Sequence, residues 1–190
     1  NSTERLEKST ERLGSQNVDF ERIDAVHGKS LSEDEVAAHY SAEMNSDKFY
    51  RPLSRGEIGC YFSHRKAWQK IVDQKLDYAI VMEDDFRLVG ELTQVFEALE
   101  TLNGQWDLVK LAAYNNRERP IRYKTPCNSH FDLVIHNKAM TGCCAQAITY
   151  AGAQKLARDG YQSETTIAGA KAQLETQKAN LVRRKLDLER

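Results

Sequence analysis

From Ile58 to Ile71 the apolar positions Ile58, Phe62, Ala67, Trp68 and Ile71 leave a stripe at helical spacing. A few residues on, Tyr78-Ala79-Ile80-Val81-Met82 is apolar without interruption, the pattern of a strand in a sheet interior. Ser54 with Glu57 three positions later has capping-box spacing and predicts a helix start at Arg55, and the polar stretch 73–77 breaks the helix from the strand. The same reading along the chain predicts a helix over 3–15, a strand over 18–25, a short helix over 32–40 and a polar loop to Leu53. Next it predicts a helix over 55–74, a strand over 78–83, a helix over 90–102 and a strand over 106–112. A loop over 114–130, strands over 131–136 and 143–149, a helix over 151–158 and a long helix from about residue 164 complete the series. Such alternation of helices and apolar strands predicts an α/β fold with a largely parallel sheet. The repeated Ser-Thr-Glu-Arg-Leu at 2–6 and 9–13 is a seven-residue echo within one helix that puts Leu6 and Leu13 on a common face.

Glu83, Asp84 and Asp85 come where the strand leaves the sheet. In extended chain, residues two apart share a face, so Glu83 and Asp85 can address one ion while Asp84 points away. Hard oxygen ligands at that spacing suit Mg2+ or Mn2+, which would bridge to the phosphates of a substrate. The same three residues also read as a solvated acidic turn after a buried strand, and the tripeptide alone leaves both readings open.

The run Gly56-Glu57-Ile58-Gly59-Cys60, then Ser63-His64, Trp68 and Glu83-Asp84-Asp85, resembles the signature of the family 25 glycosyltransferases, which include bacterial lipopolysaccharide and lipooligosaccharide galactosyltransferases and the collagen galactosyltransferases. Glu11-Arg12-Leu13 and the stretch Phe20 to Gly28 are similar to the family's opening helix and second strand. Trp106 to Leu111, Ala145 to Thr149 and Gly152 to Leu156 are similar to its later elements, so the resemblance covers roughly residues 3–158. It implies a GT-A-like nucleotide-sugar-binding domain and transfer of a hexose, galactose in the named relatives, from a UDP-sugar donor to a lipopolysaccharide or other glycan acceptor with inversion. The acidic motif would stand for DxD, with Glu83 and Asp85 holding Mn2+ or Mg2+ and Asp84 at the ribose or sugar hydroxyls. His64, within the signature, and Lys110, closing its strand, are the further donor-side candidates. A packed histidine and a surface lysine are the plainer readings of these two. The general base would fall downstream, where the chain departs from the family pattern, and no residue is assigned to it.

Family members carry an apolar strand before the first helix, whereas this chain opens on Asn1-Ser2-Thr3-Glu4-Arg5, so the expectation is a domain lacking its first strand. Residues 1–160 are assigned to this domain and 161–190 to a helical extension. In the extension Ile167, Leu174, Leu181 and Leu188 recur every seven positions, a coiled-coil-like seam that offers self-association through 167–188. Residues 167–190 also have a slight resemblance to the helical hairpin of periplasmic adaptor proteins. Two other readings stay open: a truncated or degenerate relative that binds nucleotide without transfer, and an interaction protein working through the heptad helix.

A formal net charge of -1 over 190 residues argues against nucleic acid as a partner. No apolar run reaches the length of a membrane span, and a cytoplasmic protein, at the inner face of the bacterial inner membrane if its acceptor is lipopolysaccharide, is expected. Cys60, Cys127, Cys143 and Cys144 lack zinc-knuckle or redox spacing and are expected as reduced structural thiols, Cys60 buried beside Ile58 and Phe62. His27 precedes Gly28 at the end of the expected second strand, where ligands gather in α/β sheets. His130 and His136 carry no motif.

Overall fold

The computed structural model describes residues 3–48, 50–112, 120–137 and 142–159. In chain order the elements are α1 (Thr3–Gly14), α2 (Glu33–Ala37), α3 (Ala42–Lys48), α4 (Arg55–Asp73), β1 (Tyr78–Met82), α5 (Leu92–Thr101), β2 (Leu108–Lys110), β3 (Ile121–Pro126), β4 (Asp132–His136), β5 (Ala145–Thr149) and α6 (Tyr150–Asp159). A 3-10 turn at Gly28–Ser30 lies between α1 and α2.

Helix α4 starts where its cap dictates. The Ser54 hydroxyl accepts from the Glu57 amide, and the Glu57 carboxylate accepts from the Ser54 amide at 2.8 Å, so two otherwise orphaned donors are satisfied. Helix α2 opens on the same device, with Ser32 and Glu35 as the reciprocal pair.

The sheet differs from the expected one. Strand β5 is central, in the order β1-β5-β2, and pairs antiparallel with both neighbours. Tyr78 faces Thr149 and Met82 faces Ala145 on one side, and Lys110 faces Gln146 on the other. Strands β1 and β2 run parallel to each other, as the βαβ pattern implied, yet they do not touch. Strand β5 lies between them, beginning beside Met82 and running opposite to both. The expectation of a largely parallel sheet is therefore corrected for the described residues. Strand β3 forms within the stretch read as a loop and pairs antiparallel with β4 in a separate two-stranded sheet.

Alternate residues of β1 meet different cores. Ala79 and Val81 pack against Trp68 and Ile71 of α4, Ile148 of β5, and Ala153, Leu156 and Ala157 of α6. Met82 packs instead against Leu13, Phe86 and Leu92. A strand with apolar neighbours on both faces needs apolar residues throughout, which is what its sequence carries.

No strand forms over 18–25; residues 18–27 have no regular secondary structure and lie along α4 instead. The Val26 amide donates to Ser63 Oγ at 2.8 Å, and Lys66 Nζ donates to the Asp24 carbonyl at 3.0 Å. Backbones touch where Gly28 meets Gly59: a Cβ built on Gly59 would lie 2.6 Å from the Gly28 nitrogen, and one on Gly28 would lie 1.7 Å from the Arg55 carbonyl oxygen. The two glycines permit that approach. The heptad seam of 167–188 and the expected long C-terminal helix lie outside the described residues.

Candidate functional site

Because β1 and β2 both run opposite to β5, their carboxyl ends reach the same edge of the sheet, where β5 begins. The ladder continues one residue past each strand, with the Glu83 amide donating to the Cys144 carbonyl at 2.8 Å and the Leu111 amide to the Ala145 carbonyl at 3.0 Å. Glu83, Lys110, Cys143 and Cys144 are thereby brought to one edge.

Helix α4 supplies the roof. Cys60 and His64, four residues apart, project from neighbouring turns of one helix face. His64 Nε2 lies 3.2 Å from Glu83 Oε1, and the Cys60 thiol donates toward the same oxygen at 3.7 Å. His64 is buried, its ring 6.1 Å from that of Trp68, and its Nδ1 has no hydrogen-bond partner. The bond to His64 holds the Glu83 carboxyl below its usual range against the opposing effect of burial. Burial first, and then the Glu83 carboxylate, push the Cys60 thiol up to about 11. Cys60 was expected among core residues; the residue reaches the surface, while its thiol is partly shielded beside the Glu83 carboxylate.

Lys110 Nζ donates to the Gly142 carbonyl. Desolvation lowers its pKa, opposed by the nearby Cys143 and Glu83. Cys144 is pushed upward by burial and then by both Asp85 and Glu83, whose fields meet at its sulfur. Asp84 and Asp85 are both exposed.

The opening helix grips this acidic turn, a relationship the sequence reading did not find. Arg5, Ser9 and Arg12 occupy one face of α1 at four- and three-residue spacing. Arg5 Nη1 pairs with Asp84 Oδ1 at 3.0 Å, Ser9 Oγ reaches the Asp84 carbonyl at 3.5 Å, and Arg12 Nη1 donates to the Phe86 carbonyl. The signal was present as the helical spacing of those three residues, but nothing local names their partner more than seventy residues away.

Of the candidate residues, the structure brings Glu83, His64 and Lys110 together, sets Asp84 against Arg5, and leaves Asp85 exposed beside them. Asp85 lies in the turn after β1 and is not among the metal-ligating side chains that gather around Glu83 in the described residues. His27 hydrogen-bonds Ser30 at 3.1 Å in the turn before α2. No helix among the described residues is long and apolar enough to cross a membrane.

Comparison with known proteins places this arrangement. Residues 1–168 match Glycosyltransferase family 25 (LPS biosynthesis protein). Procollagen galactosyltransferase 2 of Mus musculus is 29% identical over 163 residues, covering 80% of this chain and 25% of that protein. Procollagen galactosyltransferase 1-A of Xenopus laevis is 34% identical over 116 residues, 57% of this chain and 19% of that protein. A glycosyltransferase 25 family member of Drosophila melanogaster is 28% identical over 161 residues, 80% of this chain and 25% of that protein. The chain thus spans a quarter or less of the length of these relatives. With Cys60, His64 and Glu83 of its signature brought together and the match running over most of its length, the chain belongs to glycosyltransferase family 25.

Proposed function

We propose that this domain takes part in transferring a hexose, galactose by the names of its relatives, from a UDP-sugar to a glycan acceptor such as lipopolysaccharide, with inversion at the anomeric carbon. The observation that supports it best is the acidic turn at the shared carboxyl edge of β1 and β2, with the Lys110 cation beside it. Glu83 and Asp85 would hold Mn2+ or Mg2+. Bound there, the cation would neutralise charge on the leaving diphosphate.

The chain's own residues divide the remaining work. His64 acts as a positioning residue, orienting the Glu83 carboxylate from a buried, fixed ring. Lys110 brings positive charge to the edge where phosphate oxygens would sit. Asp84 is the candidate for the ribose or sugar hydroxyls, and Arg5 fixes its direction. The acceptor reading puts the reaction at the cytoplasmic face of a bacterial inner membrane.

Calorimetric titration with UDP tests this. Binding is expected to require Mn2+ and to disappear in Asp85→Ala; equal affinity with chelator present, or in that variant, would refute the metal role. Release of UDP from UDP-galactose with acceptor present tests transfer. Metal-dependent binding without turnover would instead favour a relative that binds nucleotide and has lost transfer.

A further inference from the structure

We propose that Cys60, His64 and Glu83 form a three-ligand site for a thiophilic divalent cation, Zn2+ by preference, with the fourth position open to water. Cys60 Sγ, His64 Nε2 and a Glu83 oxygen lie within 4.8 Å of one another, and no other group of three such residues does so among the described residues. A tetrahedral zinc ion with its usual bond lengths places sulfur and carboxylate oxygen ~3.5 Å apart and imidazole nitrogen and oxygen ~3.3 Å apart. The observed separations are 3.7 and 3.2 Å. Two edges of the triangle therefore already have the lengths that a shared zinc ion would impose, and the third, between sulfur and imidazole nitrogen, is no longer than 4.8 Å.

Each ligand is held by something other than the ion. His64 is buried with its ring near Trp68, and Nε2, facing Glu83, is its hydrogen-bonding nitrogen, because Nδ1 has no partner. Cys60 stands one helical turn away on the same helix. Glu83 is tied at its backbone to the Cys144 carbonyl. Lys110, whose charge acts on Glu83, donates to the Gly142 carbonyl. Cys60 is exposed, which gives an ion its entry path.

The donor set decides the metal class. One thiolate, one imidazole and one carboxylate suit Zn2+ or Co2+, whereas Mg2+ and Mn2+ prefer all-oxygen surroundings. On binding, the thiol gives its proton to solvent and the neutral imidazole coordinates through Nε2. Three protein ligands with a vacant fourth position are the pattern of a zinc site that keeps a water. Glu83 would be shared with the hard-cation role proposed for the acidic turn, so the two ions would compete for it.

Co2+ titration of the full chain, with thiols kept reduced, tests the proposal without nucleotide, so its outcome is independent of UDP binding. A saturable 1:1 complex is expected, with a near-ultraviolet thiolate-to-cobalt charge-transfer band and the strong visible absorption of a tetrahedral ion, both removed by Zn2+. Cys60→Ser should abolish the charge-transfer band. Glu83→Gln should weaken binding at least about tenfold, since even outer-shell changes cost that much. No saturable binding, or a charge-transfer band that survives in Cys60→Ser, would overturn the assignment. A second measurement needs no variant: Zn2+ is expected to slow alkylation of Cys60 in the unaltered chain, and an unchanged rate would also overturn it.

Discussion

The guanidinium of Arg5 lies 3.0 Å from the carboxylate of Asp84, joining the opening helix to the acidic turn across 79 residues of sequence. Both side chains are more than half exposed, so solvent screens the pair and Arg5→Ala should cost no more than about 0.5 kcal/mol. Arg12 is different, because it bonds the Phe86 carbonyl and lies 5.8 Å over the Phe86 ring. Arg12→Ala is expected to cost about 1–2 kcal/mol through a lost hydrogen bond and lost stem packing. Urea unfolding of the two variants checks the order; a larger loss for Arg5→Ala would contradict the account of how the turn is held.

The contact of Gly28 with Gly59 tolerates no side chain. Gly28→Ala drives a methyl into the Arg55 carbonyl, and Gly59→Ala drives one into the Gly28 backbone, so each should lose about 3 kcal/mol or more. Gly14→Ala meets nothing within 4 Å and serves as the control, with an expected gain of about 0.5 kcal/mol from helix propensity. Thermal melts of the three variants measure this, and a wild-type melt for Gly59→Ala would rule out the close approach.

Acid stability should report on the Glu83–His64 contact. The folded-state pKa of Glu83 is depressed below the ordinary 4.5, so its contribution is fully present above that value and is lost as pH falls through the lower folded value. Glu83→Gln removes the titrating group. In metal-free protein it should cost about 1 kcal/mol at neutral pH, a modest figure because the carboxylate is partly exposed. It should also flatten the loss of stability below about pH 4.5. Denaturant unfolding at several pH values would show the two curves converging in acid; parallel curves would mean that Glu83 has no favoured charged state in the fold.

Cys60 should be a slow thiol despite its exposure. With its pKa raised from 9.0 to about 11, the thiolate fraction at neutral pH falls roughly a hundredfold relative to an unperturbed cysteine. Iodoacetamide labelling followed by peptide mass analysis should show Cys60 modified slowly in metal-free protein, with a rate that climbs until the pH approaches 11. Glu83→Gln removes one of the charges behind the shift and should speed labelling at pH 8. Labelling at the rate of an unstructured thiol would show that Glu83 does not shield the sulfur.

Much of this protein was legible in one dimension because its signals are local. The Ser54–Glu57 capping box starts α4 where the spacing says it should, since a cap is settled within four residues. The apolar run of β1 reported burial on both faces, and the order of the signature residues pointed to the family. The sequence therefore determined most of the elements, their approximate ends and the kinship. It failed at 18–25, where the segment is held to α4 by hydrogen bonds rather than as a strand, at α3, which forms in the stretch read as a polar loop, and at β3, whose exposed face leaves little hydrophobic pattern to read.

The tertiary structure decided what depends on partners far apart in the chain. Hydrophobic periodicity says that a strand is buried but not beside which strand, so the antiparallel insertion of β5 between β1 and β2 had no local signature. The same holds for the site. Two residues apart in an extended chain, Glu83 and Asp85 invited reading as one ligand pair. In the fold Glu83 is met by Cys60 and His64, 23 and 19 residues earlier, because helix α4 is packed over the end of β1 by its Trp68–Ile71 face. Sequence chose the chemical groups; helix packing and strand order chose which of them share an oxygen.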